Sequence, residues 1–193
     1  YIDIAYVKAK RLEKLIEDLF GFTKMNYGKI SMNIGKVDIV KLLGQLLEEF
    51  YPSFADKDLT YELKSNVPSQ IITADGNLLA RLFDNLINNA IKYGADGKKI
   101  VVSVEREDPM VVSRVLNYGK IIPPEELYHI FEKFYRVEHS RSMNTGGTGL
   151  GLAIAKGVVE LHGGTIHASS SMRGTVFEVR LYQSLKDRPE HFD

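Results

Sequence analysis

Strand-like segments occur in adjacent pairs between helical segments, and this order most constrains the fold. Helical periodicity covers residues 38–55, 76–93 and 150–161, and two prolines at 123 and 124 open a short helix. Runs typical of strands lie at residues 59–64, 70–73, 99–105, 111–116, 165–169 and 175–181. Paired strands favour a two-layer α/β sandwich of the α+β class, with a mixed sheet and helices on one face, over a doubly wound parallel sheet.

Composition excludes several kinds of protein. The chain has 193 residues and no cysteine, which excludes disulfides, zinc–thiolate sites and cysteine nucleophiles. Lysine plus arginine and aspartate plus glutamate each number 25, so the formal charge is zero and no nucleic-acid partner is expected. The longest apolar stretches are far shorter than the roughly 18 residues that a membrane span needs.

The first 22 residues carry an apolar helical seam with no partner in the same segment. Spacings of three and four residues, typical of a bundle or coiled coil, separate Ile2, Ala5, Ala9, Leu12, Ile16 and Leu19. Charged side chains, Lys14 among them, are expected to solvate the other faces. The alternative is an ordinary helix packed on its own domain. Two glycines and an asparagine in residues 26–35 favour a domain boundary there.

Asparagines and a lysine follow one margin of the helix predicted at residues 76–93. Asn85, Asn89 and Lys92 lie at positions i, i+4 and i+7, so they face the same direction beside a wide apolar stripe. Two carboxamide oxygens one turn apart can bind a hard cation and its waters, and the lysine can bind phosphates that this cation carries. The alternative is a solvated helix edge.

A glycine cluster, GGTGLGL at residues 146–152, leads directly into the next helix. Backbone amides at a helix start, with no Cβ to block approach, form an anion site that the helix dipole favours. The cluster is neither a P-loop nor a GxGxxG motif. The alternative, a flexible linker, is disfavoured by the helical pattern that follows at once.

Two shorter segments carry further candidate ligands. VLNYGKIIPP, residues 115–124, ends a strand at Asn117, whose amide could bind the amino edge of a purine, although an ordinary strand exit explains it equally well. In IFEKFYR, residues 130–136, core packing is the better interpretation of Phe131 and Phe134. Arg136 begins a polar loop, from which it could reach a phosphate.

In their order along the chain, the four segments resemble the N box, first glycine box, F box and second glycine box of sensor histidine kinases, in the GHKL superfamily. NLINNAIKY, IFEKFYR and GGTGLGLAIAK carry the resemblance together with ELHGGTIHASSSMRGTVFEV, and it covers nearly the whole chain. RLEKLIEDLF is similar to the second helix of the family's dimerisation and histidine-phosphotransfer hairpin, which accounts for the uncovered seam. The motifs are most similar to those of envelope-stress and vancomycin-resistance sensors.

The resemblance implies a Bergerat-type, left-handed βαβ sandwich that holds ATP and Mg²⁺ between the N-box helix and a mobile lid at residues 137–147. By position, Asn89 would bind Mg²⁺ with the help of Asn85, and Lys92 and Arg136 would bind phosphates; these four are the implied catalytic residues. The implied nucleotide site comprises Asn85, Asn89, Lys92, Tyr93, Asn117, Gly119, Phe131, Arg136, Gly147, Thr148, Gly149, Leu150, Gly151 and Thr175.

The sequence departs from the family pattern in two places. Asn117 and Ile121 stand where the first glycine box usually has an aspartate and a glycine, so a lowered nucleotide affinity is expected. In addition, no phosphoacceptor motif of the HExxTP kind is present. The expected reaction is transfer of the γ-phosphate to a histidine on a hairpin helix absent from this chain, with slow ATP hydrolysis and no self-phosphorylation.

Two alternatives remain open: a nucleotide-binding regulatory module with reduced activity, and a GHKL-type ATPase. The ATPase is disfavoured because Asn85 stands where such enzymes have a glutamate base. The implied partners are ATP, the phosphoacceptor helix of the same or a partner protomer, a response regulator, and a second copy in a full-length homodimer.

The expected domain organisation has four parts. A partial hairpin helix covers residues 1–29, a linker and leading strand 30–37, an ATP-binding catalytic domain 38–183, and a C-terminal tail 184–193. The chain begins in mid-pattern, so we expect it to be a fragment of a longer protein, and the resemblance implies the cytoplasmic portion of an inner-membrane sensor.

Overall fold

The structure is a computed structural model that describes residues 1–26, 30–137 and 148–189. The helices are α1 (Ile2–Asn26), α2 (Ile39–Glu49), α3 (Tyr51–Asp56), α4 (Gly76–Gly94), α5 (Pro124–Leu127) and α6 (Gly151–Leu161). The strands are β1 (Ile34–Asp38), β2 (Thr60–Ser65), β3 (Ile71–Asp75), β4 (Lys99–Glu107), β5 (Met110–Asn117), β6 (Thr165–Ser171) and β7 (Gly174–Tyr182).

A mixed five-stranded sheet forms one layer of the fold. Its strand order is β2-β4-β5-β7-β6, in which only the β2–β4 pair is parallel, while β1 and β3 form a separate antiparallel pair. Helices α2, α4 and α6 pack on one face of this sheet around a shared apolar core. The outward-facing residues include Arg114, whose guanidinium bonds Glu105 and Glu178 at 2.8 Å each. The predicted two-layer α+β sandwich is confirmed.

Helix α4 is the element that positions the asparagines. It begins at an aspartate cap, where the Asp75 carboxylate accepts hydrogen bonds from the backbone N–H groups of Asn77 at 3.0 Å and Leu78 at 3.1 Å. The apolar stripe of α4 is buried against the sheet and α6. The helix is therefore fixed in rotation, and its polar margin lies at the edge of the sandwich.

The helix predicted at residues 38–55 is divided in two. Helix α2 ends at Glu49 and α3 begins at Tyr51, with Pro52 in the first turn of α3. Proline has no N–H to donate and its ring clashes with the carbonyl four residues earlier, so a continuous helix through this position is disfavoured. The Asp38 side chain caps α2 by accepting from the N–H groups of Val40 and Lys41.

Helix α1 contacts the rest of the molecule through a face other than the predicted seam. Leu15 and Phe22 pack against the core, and Arg81 of α4 donates to the carbonyl oxygen of Glu17 at 3.1 Å. The larger seam residues, Ile2, Leu12, Ile16 and Leu19, are exposed. Within the described ranges, α1 and the other helices are all too short or too polar to cross a membrane.

Candidate functional site

A cavity of about 780 Å³ lies between α4, the end of β5, the segment around Arg136 and the start of α6. Most of the predicted site residues line this cavity, although they come from five separate segments of the chain. Those residues are Asn85, Asn89, Lys92, Tyr93, Asn117, Arg136, Thr148, Gly149, Gly151 and Thr175. The fold therefore brings the four motif segments to one place.

Three predicted residues lie outside the cavity lining, and Gly147 lies outside the described residues. Phe131 packs edge-to-face on Phe177, with ring centroids 6.1 Å apart, so it supports the cavity wall from behind. Leu150 is fully buried in the core and accepts the first hydrogen bond of α6 through its carbonyl oxygen. Gly119 packs against the backbone of Tyr93, where a side chain would not fit. These three residues shape the cavity without facing it.

The polar margin of α4 presents an incomplete set of hydrogen bonds to the cavity. Asn85 is only 7% exposed, and its Nδ2 atom has no hydrogen-bond partner among the described residues. Burying an amide donor without a hydrogen-bond partner costs free energy. A ligand that accepts a hydrogen bond from Asn85 Nδ2, directly or through a water molecule, would therefore stabilise the site. Asn88 lines the cavity beside Asn85 and Asn89, although the sequence reasoning did not select it.

Positive charge dominates the cavity. The charged groups that line it within the described residues are five bases, Lys14, Lys57, Lys92, Lys120 and Arg136, and three acids, Asp18, Asp96 and Glu126. Burial lowers the pKa of Lys92, and the nearby charge of Lys14 lowers it further. Cations that repel one another in a partly buried site favour a polyanionic ligand.

The donor groups also fit a divalent cation that arrives with its ligand. Among the described residues, no cluster of histidine and carboxylate side chains could hold a metal alone. Asn85 and Asn89 offer carboxamide oxygens instead, which suit a hard cation that takes its remaining ligands from phosphate oxygens and water.

The part of the cavity beside β5 and β7 combines apolar walls with a few fixed polar groups. Asn117 is 3% exposed and pairs with Thr175 across the β5–β7 ladder. The Thr175 hydroxyl lies 2.7 Å from the Ser170 hydroxyl, which accepts a hydrogen bond from the Ile122 N–H at 2.9 Å. Ile122, Ile130 and Phe177 supply apolar walls. This combination suits a flat heterocycle with polar edges.

Gly149 serves a packing role at the start of α6. Its φ is +75°, and a Cβ there would lie 2.8 Å from the backbone of Phe134. Phe134 donates its N–H to the Gly149 carbonyl oxygen at 2.9 Å. The predicted core position of Phe134 is wrong, because a φ of +61° turns its side chain outward and leaves it 58% exposed.

The helix α1 contributes two cavity residues that the sequence reasoning missed. Asp18 is 2% exposed and accepts a hydrogen bond from the Thr148 hydroxyl at 2.9 Å. The Lys14 ammonium lies 3.4 Å from the other Asp18 oxygen, so the prediction that Lys14 solvates an outer face is incomplete. The i, i+4 spacing of the pair was visible in the sequence, but nothing there indicated where α1 docks.

Comparisons with known proteins agree with this geometry. A family model described as "Histidine kinase-, DNA gyrase B-, and HSP90-like ATPase" matches residues 74–185. Sensor protein VanSC of Enterococcus gallinarum is 40% identical over 182 residues, which cover 94% of this chain and 50% of the relative. The chain thus spans about half the length of this relative.

Two solved structures are similar over most of the chain. Full-length ShkA in complex with AMPPNP has a TM-score of 0.80 at 26% identity, over 94% of this chain and 39% of that one. Histidine kinase ThkA in complex with response regulator TrrA has a TM-score of 0.79 at 23% identity, over 97% of this chain and 52% of that one; this second likeness shows the fold alone.

Proposed function

Because the chain belongs to the family of histidine kinase-, DNA gyrase B- and HSP90-like ATPases and is similar to sensor histidine kinases, we propose that it binds Mg-ATP and transfers the γ-phosphate to a histidine. One observation carries the proposal: the basic side chains, the unpaired Asn85 amide and the apolar pocket beside Asn117 all line one cavity. Such a cavity suits a ligand with a heterocycle at one end and phosphates at the other.

Each part of the ligand has residues suited to it. In this proposal, Asn89 and Asn85 hold Mg²⁺, while Lys92 and Arg136 bind and orient the phosphates. When bound, Mg²⁺ would neutralise phosphate charge and support in-line transfer. Asn117 and Thr175 face the purine, and the Asn85 carboxamide cannot act as a general base, which disfavours rapid hydrolysis.

The phosphoryl acceptor in this proposal is a histidine supplied by another helix. Of the described histidines, His129, His162 and His167, none lines the cavity. Both ring nitrogens of His162 are engaged within the fold, and His129 pairs with Glu132 at 2.7 Å. The phosphohistidine would then pass its phosphate to a response regulator.

We extend the proposal to the organisation of the longer protein. Residues 1–29 would form part of a dimerisation hairpin, 30–37 a linker and leading strand, 38–183 the catalytic domain, and 184–193 a tail. The exposed seam of α1 and its distinct docking face support the hairpin assignment. The full protein would act as a homodimer, with this portion on the cytoplasmic side of the plasma membrane.

The test is phosphate transfer to a separate dimerisation hairpin, such as that of VanSC, in the presence of Mg-ATP. We expect phosphohistidine on the hairpin and a loss of about 100-fold in transfer rate for Asn89→Ala. Asn77→Ala is the matched control, because Asn77 lies on the same helix but is exposed and outside the cavity lining.

Other outcomes would favour the alternatives. Tight Mg-ATP binding without transfer to any hairpin would support a regulatory module, for which the neutral, buried Asn117 is the favouring observation. Rapid ATP hydrolysis without a hairpin would support a GHKL-type ATPase.

A further inference from the structure

We infer that Lys14, on α1, is a phosphate-binding residue, so that the catalytic domain and the docked α1 bind the nucleotide jointly. The inference rests on the proposed function, since it takes the anion in the cavity to be a nucleotide polyphosphate. It adds a site residue from outside the segments that carry the motifs.

The position of Lys14 is the first support. Its side chain lines the same cavity as Lys57, Lys92 and Arg136, although it comes from a helix about 40 to 120 residues away in the chain. The side chain is 46% exposed, which leaves the ammonium group accessible to a ligand. Its carboxylate neighbour, Asp18, lies one turn along α1 at 3.4 Å.

The bonds that Asp18 makes define how Lys14 is held. One Asp18 oxygen accepts from the Thr148 hydroxyl, while the other is buried and has no hydrogen-bond partner within the described residues. The Lys14 ammonium approaches this second oxygen at 3.4 Å without making a hydrogen bond to it. Lys14 and Asp18 therefore form an ion pair without a hydrogen bond, and the Lys14 ammonium keeps donors available for a second anion.

The charge around the cavity favours that second anion. Burial lowers the pKa of Lys92 most, and Lys14 is close enough to lower it further, with Arg136 and Lys57 contributing in the same direction. A polyphosphate between these side chains would replace repulsion among cations with attraction. Lys14 would then bridge the Asp18 carboxylate and a phosphate oxygen.

Contacts on the C-terminal side of Lys14 hold α1 in place. Arg81 donates to the Glu17 carbonyl oxygen, and the Lys133 ammonium lies 4.6 Å from the ring centroid of Phe22. Because docking of α1 delivers Lys14 to the cavity, nucleotide binding and α1 docking must favour each other by the same free energy.

The experiment measures ligand affinity for the whole chain and three variants. Lys14→Met removes the charge and keeps the apolar stem, Lys14→Arg restores a cation, and Lys10→Met is the control. Lys10 lies one turn away on α1, pairs with Glu13 at 2.9 Å and is not in the cavity lining. Mg-AMPPNP affinity is measured by calorimetry over a salt series, and adenosine affinity by ligand-observed NMR.

We expect Lys14→Met to weaken Mg-AMPPNP about tenfold and to reduce the salt dependence of its affinity, because one charge-assisted contact is lost. Adenosine affinity should be unchanged, since adenosine has no phosphate. Lys14→Arg should bind Mg-AMPPNP within about threefold of the unmodified chain, and Lys10→Met should match the unmodified chain.

Two results would overturn this inference alone: equal Mg-AMPPNP affinity for Lys14→Met and the unmodified chain, or an equal loss for adenosine and Mg-AMPPNP, which would indicate a packing role. A chain without affinity for any adenine nucleotide would overturn the proposed function as well.

Discussion

At the scale of single residues, Gly149 and Gly151 illustrate two different reasons for a glycine. Gly149 has a φ of +75° and lies against the Phe134 backbone, whereas a Cβ at Gly151 would meet, among the described residues, only the Asn85 carboxamide, 3.6 Å from its Oδ1. We expect Gly149→Ala to lower the free energy of unfolding by about 1–3 kcal/mol through strain and the clash. Gly151→Ala, at the start of α6, should be neutral or slightly stabilising. Urea unfolding measures both, and equal effects would contradict this distinction.

His162 is a buried residue whose protonation should set part of the pH dependence of stability. Its Nδ1–H donates to the Val158 carbonyl oxygen at 2.8 Å, and its Nε2 accepts from the Asp75 N–H at 3.1 Å. Burial lowers the pKa of His162 below its usual value, and the Arg188 guanidinium lowers it further. The neutral ring is therefore the form that the fold requires.

The sign of the pH effect follows from that lowered pKa. As the pH falls below about 6.5, the unfolded chain takes up the His162 proton before the folded protein does. The contribution of His162 to the free energy of unfolding should therefore be complete above about pH 6.5. It should decrease as the pH falls below this value, by at most about 1.4 kcal/mol per pH unit.

Substitution distinguishes the effect of His162 on stability from the effects of the other histidines. His162→Gln should lower the free energy of unfolding by about 1–3 kcal/mol at neutral pH, because the Asp75 N–H loses its acceptor, and should flatten the pH dependence. His129→Gln is the control, since His129 is partly exposed and bonds Glu132. Urea titrations from about pH 7.5 to about pH 5.5 measure both variants. An unchanged slope in His162→Gln would refute the assignment.

At the scale of elements, the Thr148 hydroxyl links α1 to the start of α6. Thr148 donates to Asp18 at 2.9 Å and accepts from the Leu150 N–H at 3.3 Å, just before α6 begins. Thr148→Val removes both bonds while keeping the shape of the side chain. We expect the protection of the α1 amides against exchange with solvent to fall by about 1 kcal/mol, because α1 then undocks more often.

Thr148→Ser provides the matched control, because it retains the hydroxyl and should restore most of the protection. Amides of β4 and β5, at the centre of the sheet, should be unaffected in both variants. Hydrogen exchange read by mass spectrometry distinguishes the regions. Faster exchange in β4 and β5 would show instead that Thr148→Val destabilises the whole fold.

Local sequence patterns were sufficient to predict most elements. Every predicted strand and the helices α4 and α6 are found within a few residues of their predicted ends, and α5 begins at the predicted prolines, since periodicity and caps are local signals. The break at Pro52 was missed because the apolar pattern of the side chains continues through it. The missing N–H of the proline interrupts the backbone hydrogen bonds of the helix, which that pattern does not report. Registers and strand order, such as β5 beside β7, depend on pairing between distant segments.

At the scale of the whole molecule, helical geometry predicted the candidate site only where one motif contributes several residues, and the family resemblance supplied the site residues from the other segments. Asn85, Asn89 and Lys92 could be assigned to one face because helical geometry fixes their relation. Lys14 and Asp18 could not, because their place in the cavity depends on how α1 docks, which is a tertiary contact. Phe131 and Leu150 belong to motif segments, yet packing directs both side chains into the interior.

The exposed seam of α1 leads to the last prediction, which concerns assembly. Leu12 and Tyr6 are both exposed, at 57% and 61%, but only Leu12 belongs to the seam, which lies beside the docked residues Leu15 and Phe22 on α1. An exposed apolar seam of this length favours self-association through α1 at high concentration. Leu12→Glu would place a charge in such an interface without disturbing the core.

We expect Leu12→Glu to raise the dissociation constant of self-association by at least about tenfold, because burying an unpaired carboxylate is costly. Tyr6→Glu changes the charge equally on the same helix, so it should leave association within about twofold of the unmodified chain. Sedimentation equilibrium measures all three proteins, and nucleotide affinity should be the same in each because neither residue lines the cavity. Equal weakening by the two substitutions would show that net charge, and not the seam, governs association. A chain that stays monomeric at every concentration would show that the seam pairs only with another helix.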